Sequence, residues 1–286
     1  AHPDVFVIGP SMDQNWKEGK DYKNIPNMIN VMGRMEYGKA IAGCAAALTT
    51  KTGQIGYLGP LINDETRRLV ASAYLGAKYC WTNYAKKDAA DLKFKVSWIG
   101  FWFNIPGVTS DPTQVVTDFI NSGYDVVISG IDTTEALTEA VKAKDAGKDV
   151  WAIPYDYKDA CKEGEKVCLG VPYFNWGPSY TKYVKMVQEG KFVATFEWLA
   201  PDWSDINNPD TSPVGFMKGP ALSAEAATSL DAYIKELAGG LEPWTGPLNL
   251  QDGSAYLKDG EKATDQQIWY LPQLLEGMEG QSVPSN

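Results

Sequence analysis

Hydrophobic runs and polar breaks alternate most regularly between residues 92 and 156. Phe94-Lys95-Val96-Ser97-Trp98-Ile99-Gly100 is rich in β-branched and aromatic side chains, the composition of a strand, and breaks at Trp102-Phe103-Asn104-Ile105-Pro106-Gly107. Val115, Val116, Phe119 and Ile120 then recur at helical spacing until Gly123 stops the run. A second apolar run, Asp125-Val126-Val127-Ile128-Ser129-Gly130, ends at Asp132-Thr133-Thr134. A helix over 135–146 follows, and a third strand, Val150-Trp151-Ala152-Ile153, ends at Pro154-Tyr155-Asp156. Strands alternating with helices of this length predict crossover units and a parallel sheet.

The same alternation extends in both directions. A short strand is expected over 4–10, another over 28–31, and a Gly- and Ala-rich helix over 35–50, whose small residues imply close packing on a sheet or a neighbouring helix. Ile55-Gly56-Tyr57-Leu58-Gly59 reads as a strand, followed by a helix over 65–79. Further on, a strand is expected over 167–171, and a helix over 178–189 with Pro178 in its first turn, where the missing N–H costs nothing. An extended segment over 192–198, a loop over 201–213, a helix over 223–237 capped by Ser223 and a late helical stretch over 266–275 complete the pattern.

Composition narrows the function. The 286 residues suffice for one large domain or two ordinary lobes, and 44% hydrophobic residues fit a folded protein. No apolar run approaches the ~20 residues of a membrane span. The first residues, Ala1-His2-Pro3-Asp4, lack the charged start and apolar core of a signal peptide. A net charge of −10 with scattered basic residues argues against a nucleic-acid partner.

Candidate chemistry is sparse. Gly53, Gly56 and Gly59 invite a dinucleotide reading, but they lie within a strand instead of after it, so packing and turn roles are expected. A Ser–His–Asp triad would have to use His2, the one histidine. Cys161 and Cys168 bracket a polar turn and are expected to pair in an oxidising compartment, with zinc ligation the weaker rival. Cys44 and Cys80 are expected as buried free thiols. No cofactor and no metal is expected. What remains sits at strand ends, where open parallel sheets bind ligands: Trp102, Phe103, Asp132, Thr133 and Asp156, with Trp176 after a further strand. Aromatic faces with carboxylates that accept from N–H groups suit a purine or a similar heterocycle, and lobe packing is the bland alternative for each aromatic.

Several stretches carry a resemblance. Tyr37-Gly38-Lys39-Ala40-Ile41-Ala42-Gly43 and Gly53-Gln54-Ile55-Gly56-Tyr57-Leu58-Gly59 resemble the helix and strand that join the two lobes of basic membrane lipoproteins. Those are substrate-binding subunits of purine and nucleoside ABC importers. Trp102-Phe103-Asn104, Asp132-Thr133-Thr134, Asn175-Trp176-Gly177-Pro178 and the tail from Gly246-Pro247-Leu248 to Gln251-Asp252-Gly253 are similar as well. Asn104 replaces a frequent aspartate, Ile105 is inserted before Pro106, and Trp176 stands where nucleoside-binding members tend to carry lysine. That last change resembles members that take a free base.

The resemblance implies an α/β, type I periplasmic-binding-protein-like fold: two doubly wound parallel-sheet lobes with a hinge, the first lobe truncated because the family's N-terminal segment is lacking. The expected division is 1–53 as a remnant of lobe 1, 54–171 as lobe 2, 172–195 as a return to lobe 1, and 196–286 packing on lobe 2 and the hinge. It also implies capture of a purine-like ligand between two lobes, delivery to ABC permease subunits, a periplasmic or extracellular location, and membrane attachment only through a lipid anchor on the missing segment. The alternatives are a sensing module of a receptor or regulator, and, less favoured, an enzyme on the same scaffold.

Overall fold

The structure is a computed structural model that describes residue 2 and residues 4–284. In chain order the elements are β1 (Val7–Pro10), β2 (Met28–Gly33), α1 (Met35–Thr49), β3 (Gln54–Gly59), α2 (Asp64–Asn83), β4 (Lys93–Trp98), α3 (Pro112–Asn121), β5 (Val126–Ser129), α4 (Glu135–Asp145) and β6 (Trp151–Ile153). Then come β7 (Gly170–Phe174), α5 (Gly177–Gln188), β8 (Phe196–Leu199), β9 (Val214–Lys218), α6 (Ala224–Ala238), β10 (Leu248–Asn249), β11 (Ala255–Leu257), α7 (Asp265–Trp269) and β12 (Met278–Glu279). They fall into two compact units. Glu36–Tyr173 with the residues from Phe216 onward form the larger, and the residues up to Met35 with Phe174–Gly215 form the smaller.

The larger unit is built on a five-stranded sheet in the order β12-β4-β3-β5-β6, every neighbouring pair parallel. From β3 the chain steps one way to β4, then back past β3 to β5 and on to β6. Right-handed crossovers therefore put α2 on one face and α3 with α4 on the other. The four residues of β5 are all buried, as a strand covered on both faces must be. Phe119, Ile120, Leu58, Val127, Leu137 and Val150 share one core cluster on the α3–α4 side.

The small residues of α1 have a defined partner. A Cβ on Gly43 would lie 1.8 Å from the Ala73 carbonyl oxygen, and one on Gly76 2.0 Å from that of Ala40. Backbone meets backbone between α1 and α2, and the approach brings Cys44 and Cys80 into a disulfide with Cα atoms 5.1 Å apart. The expectation of free thiols at these two positions is therefore overturned: 36 residues of sequence separate them, so only helix packing reveals the pair. Cys161–Cys168 is also a disulfide, as expected. Gly56 and Gly59 are packing residues, since Cβ atoms there would strike Phe119 at 2.8 Å and Trp98 at 2.4 Å.

The smaller unit has a three-stranded parallel sheet, β1-β2-β8, with β2 in the middle. Ile29 and Val31 of β2 pack with Tyr183 of α5, and Ile8, Trp176, Met186, Phe192 and Leu199 surround them. Gly9 packs closely too, a Cβ there meeting Asn30 Nδ2 at 2.9 Å.

The two units divide the chain differently from the expected lobes at residues 36–53, 172–173 and 196–215. Residues 36–53 lie with the larger unit, because α1 is joined to α2 and Lys39 Nζ donates to the Ser129 carbonyl at 2.8 Å. Residues 196–215 lie with the smaller, because β8 pairs with β2 and Asn175 Nδ2 donates to the carbonyls of Pro209 and Ser212 at 2.8 and 2.9 Å. Smaller differences are local. The first strand begins at Val7, and the strand expected over 167–171 lies at Gly170–Phe174. The late helix is only Asp265–Trp269, started by a capping box between Thr264 and Gln267.

Candidate functional site

In the larger unit the carboxyl ends of β3, β4 and β5 are stitched together by backbone hydrogen bonds. Ile99 N–H donates to Gly59 O at 2.9 Å, Gly100 N–H to Pro60 O at 2.9 Å, and Gly130 N–H to Leu58 O at 2.8 Å. Asp132 N–H donates to Trp102 O at 2.8 Å, so two of the expected site residues meet through the main chain. The exit of β6 is held from the other side: Asp156 N–H donates to Pro172 O at 3.0 Å. Asp156 adopts φ +73°, a left-handed conformation that aspartate tolerates better than most residues and that costs of order 1–3 kcal/mol.

Three aspartates of this sheet show what the exits do. Asp125, at the amino end of β5, is buried and fully satisfied: it accepts from the Thr50 hydroxyl and from the N–H groups of Lys51 and Thr52 at 2.7 and 3.1 Å. Asp132 and Asp156 follow the carboxyl ends, and among the described residues neither carboxylate accepts a hydrogen bond. Both residues are exposed. Desolvation nevertheless raises both carboxyls: Asp132 to about 6, with the charge of Asp156 adding to the effect and Lys39 opposing it, and Asp156 upward against the pull of Lys39. Asp125 belongs to the fold, whereas the other two are acceptors with nothing to accept from.

Lys39 and Glu65 were not singled out from the sequence as site residues. Lys39, on α1, is fully buried, with Nζ 3.4 Å from the Tyr155 ring centroid and 5.2 Å from that of Tyr57. Burial pushes its ammonium down, while Asp156 and then Asp132 hold it up. Glu65, the second residue of α2, is half-buried, and desolvation raises its carboxyl, Arg68 opposing and Glu36, Asp156 and Asp132 adding. The motif Tyr37-Gly38-Lys39 was noted for its resemblance, but a lysine amid small residues gave no sign of where its amine would go.

The remaining expected residues are placed as follows. Trp102 is half-buried, and Phe103 is 43% exposed with its ring edge-on to Phe101 at 4.9 Å. Thr133 Oγ1 is buried without a hydrogen-bond partner, while the neighbouring Thr134 hydroxyl donates to Glu163 at 2.6 Å. Trp176 belongs to the smaller unit, just before α5, stacked on Phe174 at 4.9 Å and near Tyr180 at 6.0 Å. Part of its surface thus serves packing. Among the described residues no cluster of His, Cys, Asp and Glu could hold a metal ion, and no helix is long and apolar enough to cross a membrane.

Comparison with solved structures follows this geometry. An ABC transporter solute-binding protein of Aeropyrum pernix K1 superposes with a TM-score of 0.64 over 96% of this chain and 78% of its own, at 11% identity. The fold is that of type I periplasmic binding proteins. A transcriptional activator of the comK gene from Bacillus halodurans shares this binding-protein fold, with a TM-score of 0.59 over 83% of this chain and 71% of its own, at 16% identity. No protein-family model matches the chain. Among curated proteins, a purine-binding protein of Brucella abortus (strain 2308) is 29% identical over 266 residues, 93% of this chain and 69% of the relative. A protein named as an ABC transporter glucose-binding protein of Haloferax volcanii is 25% identical over 96% of this chain and 61% of its own length. The chain therefore spans about two thirds of the length of these two relatives, and it is similar to solute-binding proteins of ABC transporters.

Proposed function

We propose that this chain is the extracytoplasmic solute-binding component of an ABC importer and that it takes a purine-like base. The reading rests on one observation: Asp132 and Asp156 stand unpaired at the carboxyl ends of adjacent parallel strands, where sheets of this kind bind ligands. A heterocycle with N–H groups on its edge supplies what these carboxylates lack, and a flat ring suits the aromatic faces of Trp102 and Phe103. Thr133 Oγ1, buried and without a partner, is a further group for the ligand to meet. Likeness to a purine-binding relative supports the ligand class. In this reading the permease subunits of the importer are the partners.

A sugar is the second reading, because the other relative is named for glucose and aromatic-plus-carboxylate sites also suit polyols. Calorimetric titration with adenine, guanine, hypoxanthine, their nucleosides and glucose separates the two. We expect the bases to bind, with affinity falling at least tenfold in Asp156→Ala and in Trp102→Ala. Binding of glucose alone would replace the purine assignment. Unchanged affinity in either variant removes that residue from the site.

A further inference from the structure

The ammonium of Lys39 is buried at the strand exits of the larger unit. It is 0% exposed, on a helix rich in Gly and Ala. Its Nζ donates to the carbonyl of Ser129, the last residue of β5, and lies against the ring of Tyr155, two residues past the end of β6. One amine therefore ties the exits of two adjacent strands, and these exits carry Asp132 and Asp156. A carbonyl oxygen and an aromatic face are partners that favour a cation. A buried charge is kept only where other charges compensate it.

The surroundings fix the sign of the site. Facing Lys39 are Asp156 and Asp132, with the phenols of Tyr57 and Tyr155. Glu65 adds a third carboxylate that interacts with both aspartates, whereas Arg68 is already neutralised by Glu36 at 2.7 Å. Three carboxyl groups thus surround a single lysine whose amine is already engaged by the Ser129 carbonyl, and a ligand carrying phosphate would meet acceptors where it needs donors.

We propose that Lys39 is the positioning residue of this site, holding Asp132 and Asp156 in place and ionised as acceptors, and that the site consequently takes uncharged N–H donors and refuses phosphorylated ones. The proposal deepens the reading above and rests on it for the ligand, but not for the electrostatic role of Lys39. Protonating Asp132 removes an acceptor, so ligand affinity is full above the midpoint of its titration and is lost as pH falls through it. Without the lysine, the charge of Asp156 acts on Asp132 unopposed and the midpoint rises.

The test uses Lys39→Met and the conservative Lys39→Arg. The Asp132 carboxyl is titrated by NMR in ligand-free protein, and adenine, adenosine and adenosine monophosphate are titrated calorimetrically from pH 5 to 8. We expect Asp132 to titrate at higher pH in Lys39→Met than in the wild type, with Lys39→Arg restoring the wild-type midpoint. Base affinity at pH 7 should fall at least tenfold in Lys39→Met, and the monophosphate should bind at least a hundredfold more weakly than adenosine. An unmoved Asp132 midpoint overturns the role of Lys39 whether or not any purine binds. Equal binding of adenosine and its monophosphate overturns the charge selection. Failure of every purine on the wild type, with the midpoint shifted as expected, defeats the ligand assignment alone. If Lys39→Met does not fold, the same Asp132 titration in Lys39→Gln and the wild-type monophosphate comparison decide.

Discussion

The two units use the same parallel β–α logic with very different amounts of support. The larger has a five-stranded sheet, helices on both of its faces, and both disulfides of the described residues. The smaller has three strands, with only β2 paired on both sides, and its apolar residues come to the surface: Phe6 is 46% exposed and Val184 50%. A cavity of about 300 Å³ opens there among Phe6, Ile8, Tyr183, Val184, Val187 and Phe192. Parallel sheets are normally covered on both faces, and stability within a protein is lowest where buried apolar contacts are fewest. The unit that holds the expected carboxylate anchors is thus the better-reinforced one, as a preorganised site requires.

The sharpest way to break this comparison is at the buried ion pair of the larger unit. Arg68 Nε donates to Glu36 at 2.7 Å, both side chains nearly inaccessible, with the guanidinium 4.0 Å from the ring of Trp269. Removing one partner strands the other charge, so Glu36→Ala should cost about 3–5 kcal/mol in denaturant unfolding followed by the larger unit's tryptophans. A loss below about 1 kcal/mol would mean the pair is not buried in solution.

Next come the disulfides. Closing a 36-residue loop constrains the unfolded chain more than closing one of 7 residues. Replacing Cys44 and Cys80 by serine should therefore cost about 4 kcal/mol, and replacing Cys161 and Cys168 about 2 kcal/mol. Hydrogen exchange with and without reductant places the effect. Protection should fall within α1, α2 and the 161–168 loop while β1, β2 and β8 keep theirs. Equal loss in both units would show that they unfold as one, and the contrast drawn above would go.

The smallest expected effect is the most informative about the site. Asp132 titrates near 6, above its unfolded value, so the folded state holds the extra proton between roughly pH 4 and 6 and its stability declines as pH rises through that window. Asp132→Asn should then raise the melting temperature of the ligand-free protein at pH 7 by about 1–3 °C, and by nothing at pH 4. The same variant should bind the base more weakly. A gain in stability that coincides with a loss of binding is the signature of a residue kept for the ligand. A lower melting temperature at pH 7 would instead give Asp132 a structural role like that of Asp125.

What the sequence determined by itself was local and periodic. Strands β3 to β6 and the helices between them were legible because apolar runs, glycine stops and caps such as Ser223 act within a few residues. Their alternation implied a parallel sheet, and a parallel sheet implied that Asp132 and Asp156 stand at its binding edge. What only the tertiary structure decided depends on approach between distant segments. Gly43 against Ala73 and Gly76 against Ala40 let two helices touch, and that contact made the Cys44–Cys80 disulfide. Lys39 reached the strand exits through the docking of its helix. Short pairings such as β12 beside β4 have no periodicity to read, since two residues suffice once the neighbouring strand is in place. The sequence names the carboxylates; which charges surround them follows only from how the helices dock.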